Sequence, residues 1–186
     1  MTESEIVKKL IENDEDTFRF LIDKYHLNIF KVCLGFLHHK EDAEDVAQEV
    51  FIEVFQSINR FKQESTLSTW LYRIAVNKSL NVLQKRKTKK LFNDLQRAIN
   101  LKTLLFESSD PHRKLETKEN ANVLFKVINS LPENQRIAYT LAKYDELSYN
   151  EIAKIMNTSL SSVESLLHRA KKTLHKKLIK YYEGKY

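Results

Sequence analysis

The chain has few of the residues that break helices and few of those that build covalent or phosphate-binding sites. Its 186 residues include two glycines, two prolines and one cysteine. Sheet proteins need turn residues far more often, so the composition predicts an all-α fold. With so little glycine no loop can wrap a phosphate, which argues against nucleotide-binding motifs. Cys33 cannot form an internal disulfide or a thiolate metal site, and its apolar neighbours predict a buried structural thiol.

The sequence also lacks a secretory leader and any apolar run long enough to span a bilayer. Apolar residues nevertheless make up 42% of the chain, which is enough for a packed core. We therefore expect a cytoplasmic protein with no membrane insertion of its own. Its length suits one ordinary domain or two small ones.

Charge is segregated along the chain, although the net charge is only +6. Residues 41–55 contain six acids and no base. Residues 85–90 contain five bases, and residues 168–180 contain six Lys or Arg and no acid. This pattern predicts one surface that repels nucleic acid and two that attract it.

The spacing of apolar residues predicts two long helices, from Asp16 to Leu37 and from about Glu41 to Ile58. Opposite the apolar face of the second helix lies an acidic face with Ile52 at its middle and Phe55 at its edge. Plain solvation is the simpler interpretation of an acidic face. An apolar centre inside a charged rim is, however, typical of a docking surface, and here it predicts a basic protein partner.

A polar loop, residues 59–70, leads to a third helix from about Leu67 to Arg86, which Ser65 or Thr66 can cap. Asn77, Asn81 and Gln84 share one face of this helix, and we call them the amide stripe. The cations that flank the stripe are Lys78, Lys85 and Arg86. Amides can pair with base edges and cations with phosphate, so the stripe is either a DNA contact or merely solvated. Trp70 is interpreted as core rather than as a stacking platform.

Residues 88–115 have the weakest pattern and are interpreted as a partly helical linker. Beyond it, a capping box of Ser148 and Glu151 begins a short helix that ends near Met156. Ser161 and Glu164 are interpreted as a second capping box that begins the last helix, with the Glu164 side chain turned back to the Ser161 amide. Such a cap stabilises a helix by about 1 kcal/mol. Two helices joined by a tight turn predict a helix-turn-helix.

Three signatures in this order resemble the sigma-70 superfamily. They are EDAEDVAQEVFIEVFQSINRF, then STWLYRIAVNKSLNVLQKRK, then LPENQRIAYTLAKYDELSYNEIAKIM with SSVESLLHRAKKTL. The resemblance covers roughly residues 15–87 and 120–180, and it is closest to the extracytoplasmic-function (group IV) RNA polymerase sigma factors. It implies two small helical domains: region 2 in residues 1–87 and the region 4 helix-turn-helix in residues 116–186, joined by a flexible linker at 88–115.

The resemblance implies a subunit that binds core RNA polymerase, recognises the −10 and −35 promoter elements and helps to melt the DNA. The clamp helices of the largest polymerase subunit would contact Asp45, Gln48, Glu49, Ile52 and Phe55, of which Ile52 is our own addition. The −10 element would contact Phe61, Lys62, Ser65, Thr66, Asn77, Lys78, Asn81, Gln84 and Lys85. The −35 element would contact Ser161, Ser162, Ser165, His168, Arg169 and Lys172. The helix-turn-helix would also sit on the polymerase flap, and an anti-sigma factor is implied as a further partner.

The chain departs from the family pattern at Asn81, Gln84, Glu164 and Leu166. The family often has an acid at the first of these positions and basic residues at or near the others. The departures imply altered −10 base identity and fewer phosphate contacts at the −35 end. We therefore expect weak DNA binding by the free chain, with polymerase supplying much of the affinity.

Two alternatives remain open from the residues alone. One is a helix-turn-helix transcriptional regulator with a helical partner-binding domain, which leaves the acidic helix and the amide stripe without a purpose. The other is a metal-dependent enzyme using His38 and His39 beside nearby acids, but adjacent histidines point apart on a helix. We predict no catalysis, no metal and no cofactor.

Overall fold

The computed structural model describes residues 1–100, 116–144 and 147–183. In these ranges the chain forms α-helices and one 3₁₀ turn, and it forms no strand. The helices are α1 (Glu3–Ile11), α2 (Glu15–Leu37), α3 (Lys40–Ser57), α4 (Leu67–Asn100), α5 (Glu116–Asn129), α6 (Glu133–Tyr144), α7 (Tyr149–Met156) and α8 (Leu160–Glu183). The 3₁₀ turn, Ile58–Arg60, follows α3. The predicted all-α class is confirmed.

Helices α2, α3 and α4 pack on one another and bury their apolar faces in a shared core. Asp14 begins α2 by accepting a hydrogen bond from the Thr17 amide at 2.8 Å. The helix ends at His38, whose backbone is left-handed at φ 55°. Cys33 is fully buried, as predicted, and burial raises the pKa of its thiol to about 11. A thiol held in its neutral form behaves as a small apolar core residue.

Two features of the N-terminal half were missed or misplaced by sequence analysis. Helix α1 was not predicted, although Thr2 and Glu5 form a capping box at its start. Helix α4 was expected to end near Arg86 but continues to Asn100. Residues 87–100 contain no glycine or proline, so nothing in the backbone stops the helix there. The rest of the predicted linker, residues 101–115, lies outside the described residues, and the domain boundaries stay a prediction.

Helices α7 and α8 form the predicted helix-turn-helix. Ser148 and Glu151 make the capping box at the start of α7, with the Ser148 amide donating to the Glu151 carboxylate at 2.8 Å. Hydrogen bonds from the Ser148 side chain and backbone lower the pKa of Glu151. Asn157 makes the turn in a left-handed conformation at φ 51°, which asparagine tolerates better than most residues.

The second predicted capping box is wrong. Helix α8 begins at Leu160, and the Ser162 amide donates to the Ser159 hydroxyl at 3.2 Å. Ser159 therefore caps the helix, and Ser161 already lies within it. Glu164 sits too far into α8 to reach a cap and is exposed to solvent. The Glu164 carboxylate therefore lies on the surface of α8, the helix predicted to contact the −35 element.

The N-terminal and C-terminal halves pack against each other. Residues of α6 and α7 belong to the same buried cluster as the core of α1–α4. The Arg73 guanidinium of α4 donates to the carbonyls of Lys154 and Ile155, at 2.7 and 3.1 Å. These carbonyls lie in the last turn of α7, where the helix leaves acceptors free and carries partial negative charge. His38 stacks on Phe125 of α5, with ring centroids 3.8 Å apart. None of the helices in the described ranges is long and apolar enough to cross a membrane.

Replacing Arg73 by alanine is expected to loosen the packing between the two halves. The variant loses two charge-assisted hydrogen bonds, which together contribute on the order of 2 kcal/mol. Small-angle X-ray scattering should show a larger radius of gyration for Arg73→Ala than for the parent. Arg60 is exposed at the end of the 3₁₀ turn, so Arg60→Ala removes the same charge and should leave the radius unchanged. Equal radii for the parent and Arg73→Ala would contradict this role.

The same packing should weaken in mild acid because of His38. Burial and the neighbouring Arg136 guanidinium of α6 lower the pKa of His38 to about 4. When the halves separate, that pKa returns toward about 6.5, so the open form binds more protons as pH falls from about 6.5 to about 4. The radius of gyration from small-angle X-ray scattering should therefore increase as the pH is lowered from 7 to 5. His38→Phe keeps an aromatic ring but cannot titrate, and an identical pH response in that variant would exclude His38 as the cause.

Candidate protein and nucleic-acid interfaces

An open apolar groove of about 380 Å³ lies between α2 and α3. Its lining residues are Phe18, Ile22 and His26 from α2, with Gln48, Phe51, Ile52 and Phe55 from α3. Ile52 is 55% exposed and Phe55 is 48% exposed, although both are apolar. Phe18 and Phe55 meet edge to face with centroids 5.3 Å apart, which fixes one wall of the groove. Large exposed apolar side chains beside a groove are typical of a protein-docking site.

The five predicted polymerase contacts all come from α3 and are all exposed: Asp45, Gln48, Glu49, Ile52 and Phe55. The structure therefore places an acidic rim beside the apolar groove. Sequence analysis missed the wall that α2 contributes. Phe18 and Ile22 belong to the apolar face of α2, and periodicity alone gave no reason to separate them from the core.

The amide stripe is exposed along α4, with Asn77, Asn81 and Gln84 all open to solvent. Asn81, Gln84 and Lys85 share an open depression with Thr88 and Lys89. The Thr88 hydroxyl donates to the Gln84 carbonyl at 3.1 Å. Thr88 and Lys89 were not predicted as site residues because α4 was expected to end before them. The depression offers amides and cations to a nucleic acid on one continuous helix face.

The two other cations that flank the stripe are paired with acids of α3. The Lys78 amine lies 3.5 Å from a Glu49 oxygen and 3.6 Å from a Glu53 oxygen. Arg86 forms an ion pair with Asp42. Lys78 was predicted as a −10 contact, but in this structure its charge is shared with the α3 acids.

The loop before α4 is held more firmly than its polar sequence indicated. The Thr69 amide donates to the Thr66 hydroxyl at 3.2 Å, so Thr66 is the cap of α4. The Leu67 amide donates to the Glu3 carboxylate of α1 at 2.8 Å, a contact that sequence analysis missed. Phe61 is only 9% exposed and stacks on Trp70, with centroids 5.0 Å apart. In this conformation the Phe61 ring packs within the protein and is not presented to a base.

Of the remaining predicted loop contacts, Lys62 and Thr66 are exposed and Ser65 is half-buried. The predicted −35 contacts line the outer face of α8: Ser161, Ser165, His168, Arg169 and Lys172 are exposed, and Ser162 is half-buried. The Arg169 guanidinium donates to the Ser165 carbonyl at 3.3 Å. The opposite face of α8 is buried: Val163 and Leu167 join the cluster that contains the α7 residues, and Ala170 packs with Ile128 and Leu131 at the end of α5. This division leaves small hydroxyls exposed at the start of the helix and cations exposed further along.

Comparison with known proteins agrees with this arrangement of parts. Residues 21–89 match the family "Sigma-70 region 2", and residues 122–174 match "Sigma-70, region 4". The chain is 33% identical over 182 residues to the ECF RNA polymerase sigma-E factor of Escherichia coli K12, covering 96% of this chain and 95% of that protein. It is 31% identical over 183 residues to the RNA polymerase sigma-H factor of Pseudomonas aeruginosa, covering 95% and 93% of the two chains.

Two solved structures share the fold. CnrH, in complex with the cytosolic domain of CnrY, superposes with a TM-score of 0.67 at 18% identity, over 96% of this chain and 97% of that one. The sigma factor RpoE of Bartonella quintana, in complex with the anti-sigma factor NepR, gives a TM-score of 0.59 at 21% identity, over 87% and 96%. The chain belongs to the extracytoplasmic-function sigma factors of the sigma-70 family. It therefore works with core RNA polymerase to direct promoter-specific initiation of transcription.

Proposed function

We propose that this sigma factor uses three separate surfaces. The groove between α2 and α3 and its acidic rim bind core polymerase, the exposed face of α4 binds the −10 element, and the outer face of α8 binds the −35 element. The observation that carries the proposal is the groove. It combines exposed Ile52 and Phe55 with a rim of acids that nucleic acid would repel.

The polymerase surface would work as a small hot spot. A partner that inserts apolar or aromatic side chains into the groove buries Ile52 and Phe55, while basic groups at the rim meet Asp45 and Glu49. Such central apolar anchors surrounded by polar contacts supply most of the binding energy in protein interfaces. The clamp helices of the largest polymerase subunit are the partner that family membership favours.

The −10 surface would combine base reading with phosphate contact. Asn77, Asn81 and Gln84 can hydrogen-bond base edges, and Lys85 can hold phosphate beside them. DNA melting needs a base that is extruded and held, and exposed amides next to an open depression suit that task. Phe61 can join this surface only if its contact with Trp70 opens.

Simultaneous use of both DNA surfaces would require the two halves to separate. Elements centred about 25 base pairs apart lie roughly 85 Å apart along B-form DNA, at about 3.4 Å per base pair. In the packed arrangement α4 contacts α7 and α7 contacts α8, so one helix separates the two DNA-binding helices where they approach. Axes of helices in contact lie only about 10 Å apart. The packed arrangement held by Arg73 would then belong to the chain when it is not engaged with a promoter.

The remaining assignments follow from the same proposal. The chain would perform no catalysis, because the polymerase carries the chemistry, and it would act in the cytoplasm, where the polymerase is found. An anti-sigma factor would hold it inactive, as expected from its resemblance to a group regulated in this way. The domain division into residues 1–87, 88–115 and 116–186 would separate polymerase and −10 binding from −35 binding.

The experiment that tests the proposal is run-off transcription on a pool of random promoter fragments, with core RNA polymerase and with or without this protein. Discrete new transcripts that appear only with the protein are expected, and their start sites give the promoter sequence. If the protein neither binds core polymerase nor adds start sites, the proposal fails. A helix-turn-helix regulator would then be the better interpretation, and DNA selection with the free protein would test it.

A further inference from the structure

Acids of α3 and cations of α4 face each other along the line where these helices pack. Lys78 lies between Glu49 and Glu53, and further along Arg86 pairs with Asp42. The pairing order is antiparallel, since residue numbers rise on one helix as they fall on the other. The two charged faces that sequence analysis treated as separate surfaces are therefore in direct contact.

Lys78 is held by two carboxylates that remain open to solvent. The Lys78 side chain is 24% exposed, whereas those of Glu49 and Glu53 are 60% and 47% exposed. An approaching partner can therefore reach the acids more easily than it can reach the amine. Glu49 is also one of the predicted polymerase contacts, so one carboxylate serves two interactions that compete for it.

We propose that Glu49 and Glu53 are exchangeable counter-ions: they occupy Lys78 in the free chain, and a basic polymerase surface that takes these carboxylates releases Lys78 to promoter phosphate. This inference rests on the proposed polymerase and −10 surfaces and adds a coupling between them. Polymerase binding then increases the affinity of α4 for DNA, and by linkage DNA binding increases the affinity for polymerase.

The expected size of the coupling follows from the exposure of these groups. Solvent-exposed ion pairs contribute little each, so the release of Lys78 should change DNA affinity by about two- to fivefold at low salt. The clearer signature is the number of phosphate contacts. On B-form DNA, log affinity falls linearly with log salt, and each phosphate neutralised by a lysine makes this slope steeper by about 0.9. A paired Lys78 adds nothing to that slope, whereas a released Lys78 adds one contact.

The test measures this salt slope for parent and Lys78→Gln, which removes the charge and leaves a polar side chain one atom shorter. Three proteins are compared on duplex DNA: the free chain, the free Glu49→Gln/Glu53→Gln chain, and the holoenzyme of core polymerase with the parent acids. We expect Lys78→Gln to leave the slope of the free chain unchanged. In the double-glutamine chain it should reduce the magnitude of the slope by about one. In the holoenzyme it should cause a reduction of the same size.

The matched control is Glu41→Gln/Glu44→Gln, which removes two exposed acids of the same helix. It changes net charge equally but should leave Lys78→Gln without effect on the slope. Thermal unfolding of each variant checks that the fold is kept.

If Lys78→Gln lowers the slope of the free parent chain, Lys78 is not paired with Glu49 and Glu53 and the inference fails. If Lys78→Gln changes nothing in the double-glutamine chain or in the holoenzyme, Lys78 is not released to phosphate and the inference also fails. A protein that gives no promoter-dependent transcription would instead overturn the proposed function, while the free-chain measurements still report on the pairing.

Discussion

Ile52→Asp should strongly weaken binding to core RNA polymerase while leaving the protein folded. Ile52 is 55% exposed, so folding does not depend on its burial, but it lines the groove that we assign to the polymerase. A partner that covers the groove would have to bury an unpaired carboxylate, which costs several kcal/mol. A loss of about 3–4 kcal/mol weakens binding by two to three orders of magnitude. Direct titration of core polymerase with labelled protein measures the loss, and promoter-dependent transcripts should disappear with it.

The chain supplies a matched control for this substitution. Leu27 is an apolar residue of α2 that is 59% exposed and does not line the groove. Leu27→Asp adds the same charge at similar exposure and should bind core polymerase like the parent. Asp45→Lys, which reverses a rim charge, should weaken binding less than Ile52→Asp does. If Ile52→Asp binds core polymerase within twofold of the parent, the groove is not the docking surface.

Phe36→Ala should cause the largest loss of stability among single substitutions in the N-terminal half. The Phe36 ring is fully buried in the core of α1–α4, and its removal leaves a cavity that helices of fixed spacing cannot close. Truncation of a buried phenylalanine costs about 3–5 kcal/mol. For a chain of this size that loss lowers the melting temperature by on the order of 10 °C. Calorimetry or thermal circular dichroism measures it.

Phe20→Ala is the appropriate comparison, since Phe20 lies on the same helix but is exposed. It removes the same atoms and should change the free energy of unfolding by less than about 1 kcal/mol. Similar losses for the two variants would mean that the α2 face assigned to the core is wrong. Because Phe36 touches no predicted interface, its variant should keep polymerase binding at low temperature, where it remains folded.

The all-α class and the order of the helices were predictable because they depend on the spacing of apolar residues within each segment. The apolar positions of residues 16–37 and 41–58 gave helices that the structure places within a residue or two. The capping box of Ser148 and Glu151 was equally predictable, since the two residues lie three positions apart. The same local rule failed at Ser161, because Ser159 was also available as a cap and the helix started earlier. Two competing caps of similar energy cannot be ranked from spacing alone.

The candidate site was predictable in part for the same reason. Exposed residues of a single helix, such as Asn77, Asn81 and Gln84, follow from the helical repeat. The exposure of Ile52 was also predictable, because the helical repeat places it on the acidic face of α3. The α2 wall of the groove and the burial of Phe61 against Trp70 were not signalled, since both depend on contacts between distant or turn-separated residues.

Sequence analysis alone establishes an all-helical chain, a helix-turn-helix near the C-terminus, and acidic and basic faces on different helices. These properties follow from composition and from a period of 3.6 residues, which each helix carries within its own segment. Three features emerge only when the helices pack: α2 completes the groove, Arg73 bonds α4 to the end of α7, and Lys78 pairs with Glu49 and Glu53. Each of these depends on how helices pack, which is set by the fit of side chains far apart in the chain and not by any local pattern.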